Sequence, residues 1–247
     1  MNMVVNPYLV EPGGGGGGSG IQYVGGKVAT TQSAGTWTVS LSGLSGGLAS
    51  SPAAGDFVLV CYGEATNFIQ NADLDVSGFT EVTDLFQSDN NFDAINFGIF
   101  YKFMSGTPDT DLAASIPIGG APNGAMVIQV WRGVEPTGPF DTGATSQGFN
   151  TGQPAPPGNT PTTTGAVVCS FGSAANNYGI SAPLTSSDLT AFLSANVDSG
   201  GATNFSVATG GGYFVWTSGT FNPAQFGGNT TSSDSAWAAA TVTLKPA

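Results

Sequence analysis

The sequence predicts an all-β protein, a jelly-roll-like two-sheet β-sandwich that carries a Gly-rich N-terminal arm. The first observation is a series of about ten short apolar runs of strand length at even spacing. The second is that glycine-rich turns separate these runs, while no stretch has the periodicity of an amphipathic helix of ordinary length. The third is an apolar content of 40% with 16 Phe, which suffices for the core of one large all-β domain in 247 residues.

Residues 1–20 are predicted to form the arm, and residues 21–247 the β-sandwich domain. In the arm, a short apolar segment precedes an unbroken glycine run from Gly13 to Gly18. Such a run has too much backbone entropy to fold by itself. The arm is therefore either a tether whose apolar tip could lie on a neighbouring subunit, or a disordered N-terminus. The anchoring residues would be Val4, Val5, Tyr8, Leu9 and Val10.

The first half of the domain predicts strands and turns. Residues 21–32 predict a short strand pair that is broken at Gly25 and Gly26. In residues 35–44, Trp37, Val39 and Leu41 alternate with Thr and Ser, which is typical of a half-buried strand. The continuous apolar run DFVLVCYG predicts a central strand that is buried on both faces. Further strands are predicted in GFTEVTDLFQ, NFGIFYKFM, DLAASIPI and AMVIQVWRGV.

The second half begins with a Gly-, Pro- and Thr-rich stretch, residues 135–164, which is predicted to be extended or loop-like because Pro disrupts a central ladder. GAVVCSFG predicts the next strand, residues 183–197 predict at most one short helical turn, and GYFVWTSGTF and WAAATVTLKP predict the last strands. Residues 58–67 resemble residues 167–177, since both are a buried strand with a Cys, then a Gly, then a polar turn. The two segments could hold equivalent places in two halves of one sandwich, but they are too short to establish a duplication.

The charge content is low, at 8% of residues, and the net charge is −12. The surface must then consist mainly of Ser, Thr, Asn, Gln and Gly, which suits a protein packed against copies of itself or against partners. A secreted domain with a low-charge surface is the alternative. The basic residues are scattered singly, so no basic patch can neutralise nucleic-acid phosphates or attract anionic lipid. They are Lys27, Lys102, Arg132 and Lys245.

The sequence also carries signals about location. Its N-terminal segment lacks the basic region and the apolar stretch of a signal peptide. No run approaches the ~20 apolar residues of a membrane span. We therefore expect a protein that is made in the cytoplasm and does not insert into membranes. If it is found outside the cell, release by lysis is one route.

The chain has no histidine, which argues against a catalytic function. Histidine is the commonest general base and zinc ligand. A glycosidase needs two carboxylates that face one cleft, and no motif pairs Glu64, Glu81 and Glu135. Cys61 and Cys169 lie in apolar runs and are predicted to be buried free thiols rather than a disulfide. The sequence predicts no enzyme and no cofactor.

Three aspartate pairs could offer oxygen ligands to calcium. None has the spacing of an EF-hand loop, and turns favour aspartate as well, so turn chemistry is preferred and no metal site is predicted. The pairs are Asp73 with Asp75, Asp89 with Asp93, and Asp109 with Asp111.

Tryptophan could stack on sugars, but each of the four lies in a strand-like run, which favours packing in the core. Arg132 is the only arginine, and we expect it to pair with an acidic residue or a loop carbonyl in a structural role. The tryptophans are Trp37, Trp131, Trp216 and Trp237.

Several segments in this order resemble a family of bacteriophage virion proteins. They are GDFVLVCYG, GFTEV, IFYKFM, AMVIQVWRGV with PFDT, TPTTTGAVV and AWAAATVTLKP, and they span about residues 50–247. The resemblance implies a structural β-sandwich on the particle, most simply a decoration or cement protein on the capsid. A tail fibre or tail appendage module that binds a host receptor or carbohydrate is the alternative. It also implies other virion proteins as partners, a homo-oligomer and location in the virion.

Overall fold

The protein, in a computed structural model, is described over residues 20–66, 71, 73–88, 94–116, 123–149, 153–176, 182–198, 206–228 and 236–247. These residues form thirteen strands and no helix, which confirms the all-β prediction for this part of the chain. Among them, no helix is suited to crossing a membrane. The strands are β1 (Gln22–Thr31), β2 (Gly35–Ser40), β3 (Phe57–Thr66), β4 (Asp75–Val76), β5 (Thr80–Ser88), β6 (Ala94–Phe103), β7 (Asp111–Ile116), β8 (Asn123–Arg132), β9 (Phe140–Phe149), β10 (Val167–Asn176), β11 (Thr190–Val197), β12 (Ser206–Val215) and β13 (Ala236–Leu244).

The strands form three antiparallel sheets. The first sheet has the order β1-β8-β3-β6-β5, the second sheet has the order β11-β12-β10-β13-β9, and the small sheet has the order β2-β7-β4. The first sheet lies in the middle, because side chains from one of its faces pack against the second sheet and those from the other face pack against the small sheet. The fold is therefore sandwich-like, with a third layer that was not predicted.

The central strand β3 shows why its sequence is continuously apolar. Leu59 and Cys61 face the second sheet, whereas Val60 and Tyr62 face the small sheet, and all four are fully buried. Successive side chains of a strand point to opposite faces, so a strand covered on both faces has no polar alternation. Cys61 and Cys169 are buried free thiols, as predicted, and burial raises the pKa of both well above the ordinary value.

The two large sheets are built in the same way by two halves of the chain, residues 22–132 (the first half) and residues 140–244 (the second half). Read from the first strand of each half, the orders are β1-β8-β3-β6-β5 and β9-β13-β10-β12-β11. Thus β1 corresponds to β9, β3 to β10, β5 to β11, β6 to β12 and β8 to β13. The similar segments 58–67 and 167–177 fall on β3 and β10 in the residues that the structure describes, so they lie on equivalent strands, although the pairing registers match Cys61 with Phe171 and not with Cys169.

Local geometry repeats in the two halves as well. β3 begins two residues after Gly55, at φ 81°, and β10 begins two residues after Gly165, at φ 82°, a conformation that favours glycine. Thr80 of β5 and Thr190 of β11 each pair with a tyrosine, and each strand leaves regular register shortly afterwards. Matched irregularities of this kind are built-in features of a sheet rather than accidents.

The outer faces of both large sheets are covered by equivalent segments. The small sheet covers the first sheet, while residues 153–163, 182–189 and 217–228 run over the second. Two single β-bridges, Asn159 to Phe221 and Thr185 to Gly227, connect these segments. They place residues 217–228 between the other two segments, as β7 lies between β2 and β4 in the small sheet. The second half thus has a looser version of the third layer.

Four sequence expectations differ from the structure. The jelly-roll connectivity is not confirmed, because each large sheet takes all its strands from one half of the chain. Residues 22–31 form one strand with an irregularity after Tyr23, not a broken pair. Residues 140–149 form β9 within the predicted loop, and residues 190–197 form β11 where a helical turn was expected. The last two are edge strands, whose few apolar residues give a weak sequence signal.

Candidate functional site

The two large sheets meet edge to edge on two sides of the sandwich. β1 lies beside β11 on one side, and β5 lies beside β9 on the other. Because β1 corresponds to β9 and β11 to β5, the two sides repeat one arrangement. The side chains that line them nevertheless differ, and the difference identifies the candidate site.

The side between β1 and β11 is closed. Leu193 of β11 packs over Gly26 of β1, with its Cδ1 atom 2.5 Å from where a Cβ atom on Gly26 would stand. Beside them the rings of Tyr23, Trp131 and Tyr213 contact one another, with centroids 4.8–5.2 Å apart. Apolar bulk thus fills this seam.

The side between β5 and β9 has aromatic packing of its own, with the rings of Tyr101 and Phe140 5.2 Å apart, but it is open beside Gly143. Gly143 of β9 is equivalent to Gly26 of β1. Each glycine pairs with a residue of the neighbouring strand, and two residues after that partner comes the last residue of the strand that faces the core. Thr83 takes the place of Leu193, since each pairs with the residue two before a tyrosine. The shorter threonine leaves a groove of about 230 Å³. It is lined by Val82, Thr83, Gly143, Ala144, Thr145, Ala240, Thr241 and Val242.

The outer edges of the corresponding strands β1 and β9 differ too. On β1, Gly26 and Ser45 exchange two backbone hydrogen bonds of 3.0 and 2.9 Å, and Ala49 N donates to Val24 O at 2.9 Å. Lys27 Nζ, on the same strand, donates to two backbone carbonyls at 2.8 Å. No described residue makes a backbone hydrogen bond to the outer edge of β9. The open edge of β9 and the groove beside it form the candidate functional site, and we call them the β9 edge.

The one charged residue of β9 is already satisfied within the chain. The Asp141 carboxylate accepts hydrogen bonds from Thr162 N and Oγ1, both at 2.6 Å, and from Thr163 N at 2.9 Å. Burial by itself would raise the pKa of Asp141, but these hydrogen bonds outweigh it and lower the pKa. The rest of β9 is neutral, and Gly143, Thr145 and Gln147 are exposed.

A second group of polar residues lies between the first sheet and the small sheet. Glu64 of β3 is fully buried there, and Asn96 Nδ2 donates to its Oε2 at 3.1 Å. Its Oε1 makes no hydrogen bond in the described part of the chain. Burial raises the pKa of Glu64 to about 7, with the Asn96 hydrogen bond acting in the opposite direction. Burial and the Glu64 charge raise the pKa of Tyr62, whose ring lies 5.9 Å from that of Trp37.

The nearby carboxyl of Asp84 does not form a pair with Glu64. Asp84 lies on β5, and β6 separates it from Glu64 on β3. Burial, followed by the charges of Glu81 and Asp73, raises the pKa of Asp84 to about 6. Each carboxyl therefore owes its raised pKa to its own surroundings and not to the other carboxyl.

The cations that the structure describes mostly serve the fold. Arg132 binds the buried carboxylate of Asp56 through Nε and Nη2, at 2.8 and 3.0 Å, which confirms its predicted structural role. The hydrogen bond to Asp56 raises the pKa of Arg132. Lys102 pairs with Asp109. Lys27, Lys102 and Arg132 are thus engaged within the chain.

The other predicted residues are distributed as follows. Asp109 pairs with Lys102, while Asp73, Asp75 and Asp111 are exposed. The described residues contain no group of three or more metal-ligating side chains, and Asp89 and Asp93 lie outside them. Glu81 and Glu135 lie on the surface, away from the buried Glu64.

The tryptophans divide into two groups. Trp131 and Trp237 are buried, as predicted, whereas Trp37 and Trp216 are only partly buried. Trp216 donates its Nε1 hydrogen to Gly219 O at 2.8 Å. The predicted anchoring residues Val4, Val5, Tyr8, Leu9 and Val10 lie outside the described residues.

Sequence reasoning missed the residues that open the β9 edge, above all Thr83, Gly143 and Thr145. Alone, each is an ordinary small residue. The usable signal was the similarity between residues 58–67 and 167–177, which points to two similar halves. Matching its cysteines or its glycines, however, pairs Thr83 with Ala191 or Phe192 and not with Leu193. Only the strand pairing places Thr83 opposite Leu193, and it shows that one seam has a threonine where the other has a leucine.

No protein-family model, curated protein or solved structure matches this chain. The β9 edge and the buried Glu64 are accordingly interpreted from their own geometry.

Proposed function

We propose that the protein is a structural component of a bacteriophage virion, a decoration or cement protein that binds the capsid surface as a homo-oligomer. The observation that carries the proposal is the β9 edge, an uncharged strand edge that no described backbone covers. An exposed strand edge offers N–H and C=O groups to another chain. The resemblance of the chain to virion proteins supplies the setting.

The distribution of charge supports assembly through neutral contacts. Lys27, Lys102 and Arg132 are engaged in bonds within the chain, so the surface has few cations to steer a partner. Contacts would then depend on backbone hydrogen bonds and small side chains, which are less sensitive to salt than ion pairs are. Such contacts suit a particle that meets varied conditions outside a cell.

The physical task of a cement protein is to resist opening of the seams between capsid subunits. A protein that spans a seam adds buried area, and a stable interface buries about 1,600 Å² in total. The two large sheets share a continuous apolar core, so a load on one sheet passes to the other. The N-terminal arm is the proposed second contact, through Val4, Val5, Tyr8, Leu9 and Val10.

The second candidate function is a tail appendage module that binds a host receptor or carbohydrate. A surface cleft of about 400 Å³ favours it, because serine, threonine and aspartate side chains line the cleft and can hydrogen-bond sugar hydroxyls. The cleft is lined by Ser40, Leu41, Ser42, Ser51, Pro52, Pro108, Asp109 and Thr110.

The proposal is tested by adding purified protein to phage particles that lack it and locating it by electron microscopy. We expect the full-length chain to decorate the head shell, and a variant that begins at Ile21 to bind at least tenfold more weakly. A full-length variant with Val5→Asp and Leu9→Asp controls for the deletion and should also bind weakly. Binding at the tail alone, or to host cells and not to particles, would replace cement with the receptor-binding function.

A further inference from the structure

We infer that two copies of the chain pair through β9, antiparallel about a two-fold axis, so that their second sheets join into one ten-stranded sheet. This inference deepens the proposed function by naming the contact of the homo-oligomer. It concerns the purified chain in solution, so it can fail while binding to particles holds, and the reverse.

The first argument comes from the equivalent strand β1. Proteins protect edge strands with a lysine, a covering segment or a bulge. β1 has a lysine, Lys27, and a covering segment that includes Ser45 and Ala49. Neither protection is present on β9 in the described residues, and its one irregularity lies before Gly143, although the two strands occupy the same place in their sheets. The edge of β1 is thus covered within the chain, whereas the equivalent edge of β9 is able to pair with another strand.

The second argument is that the other edges of the two large sheets are poorer candidates. β5 carries Glu81 and Asp84, so two copies joined through β5 would bring like charges together. β11 is irregular between Thr190 and Leu193, where Ala191 has a positive φ of 45°. β9 is regular from Gly143 to Phe149, so it offers a straight edge to a partner.

The third argument is that β9 is complementary to itself. A two-fold axis at Thr145 would place Thr145 of one copy opposite Thr145 of the other, since opposed residues of antiparallel strands lie on the same face of the sheet. The same register would place Asp141 opposite Phe149, so no like charges would face each other. The exposed residues Gly143, Thr145 and Gln147 are uncharged, and the groove beside them leaves room for a neighbouring strand.

The test is the mass of the full chain in solution, measured by analytical ultracentrifugation over a range of concentrations. We expect a dimer for the wild type and a dissociation constant raised about 100-fold or more by Thr145→Lys, because two lysines would lie side by side at the two-fold axis. The matched control is Val28→Lys, which adds the same charge at the equivalent exposed position of β1, where side-chain exposure is 39%. This control should remain dimeric, as should Thr145→Ser.

Hydrogen exchange then identifies the contact. In the dimer, the outward-facing amides between Gly143 and Gly148 should be protected, and Thr145→Lys should expose them without changing the amides of β3. A full-length variant with Val5→Asp and Leu9→Asp should stay dimeric. The inference is overturned by a wild type that is monomeric at the highest concentration, by equal dissociation of the Val28→Lys variant, by loss of the dimer in the arm variant, or by unprotected β9 amides in the dimer.

Discussion

The two halves of the chain share strand order, register and turn positions, but the seams and the edge strands of their sheets differ. Both seams contain an aromatic cluster, but Leu193 closes the seam between β1 and β11, whereas the equivalent Thr83 leaves a groove in the seam between β5 and β9. The edge of β1 is covered, and that of β9 is open in the described residues. Positions that face the common core thus preserve the fold, while edge positions are free to diverge toward binding.

The two halves differ in a residue that is critical for packing where their central strands meet. Gly63 of β3 and Ser173 of β10 are equivalent positions, and they face each other across the core. A Cβ atom on Gly63 would overlap Ser173 Oγ and lie 2.5 Å from Thr209 Oγ1. The repeated halves can therefore touch here only because one of them has glycine.

The largest effect is expected from Gly63→Ala. The added methyl group has no space between two central strands, and overpacking of this kind costs up to about 3 kcal/mol. Chemical denaturation at neutral pH measures the loss in the free energy of unfolding. If the loss arises at this contact, adding Ser173→Gly to Gly63→Ala should recover part of it, beyond the sum of the single effects. Strict additivity would show that the halves are not coupled here.

A smaller, pH-dependent effect is expected from Glu64→Gln. The folded-state pKa of about 7 lies above the unfolded value, so folding favours the protonated form. Wild-type stability should therefore fall as pH rises from about 4.5 to 7, by about 2 kcal/mol between pH 5 and pH 8 from this group. The glutamine variant should lose this slope and be the more stable protein at pH 8.

The control for this prediction is Glu135→Gln, which makes the same chemical change at an exposed site. Denaturation curves at pH 5, 6.5 and 8 should give the wild-type slope for this variant. An unchanged slope in Glu64→Gln would mean that Glu64 is ionised in the folded protein at little cost, and it would contradict a dry setting between the first sheet and the small sheet.

The smallest effect is expected from Thr83→Leu, which gives the open side the residue of the closed side. The leucine should fill part of the groove beside Gly143 and stabilise the protein by about 1 kcal/mol. Thermal and chemical denaturation measure the gain, and Thr36→Leu on the exposed part of β2 is the control for added hydrophobicity alone. Equal changes in both variants would show that the two seams do not differ in packing.

The sequence was most informative where burial is two-sided. β3, β8 and β10 were predicted correctly because a strand covered on both faces must be apolar along its length. β9 was missed because FDTGATSQGF is a strand by virtue of its pairing with β13, not by its own propensity. A third layer was missed because β2, β4 and β7 come from three separate connections, whose association depends on the folded first sheet.

The candidate site was harder to predict than the fold. The two cysteines could be assigned from their apolar neighbours in the sequence, whereas the partner of Arg132, Asp56, lies 76 residues away and could not be named. Thr145 and Thr83 become informative only when β5 and β9 lie side by side, which is a property of the packed sheets. Glu64 was noted as a glutamate, but its burial follows from the small sheet that covers it.

The division of the chain into halves has a consequence for synthesis. The first half supplies every strand of the first sheet and the small sheet, so both can form while the second half is still on the ribosome. The apolar face that includes Phe57, Leu59 and Cys61 then stays exposed until the second sheet packs against it. The second sheet needs β13, which is one of its inner strands and the last of the strands to be synthesised. Its synthesis takes roughly 5–20 s of further translation. A nascent chain that stalls before Ala236 would present this face to its neighbours, and polysomes would be the place to find its aggregates.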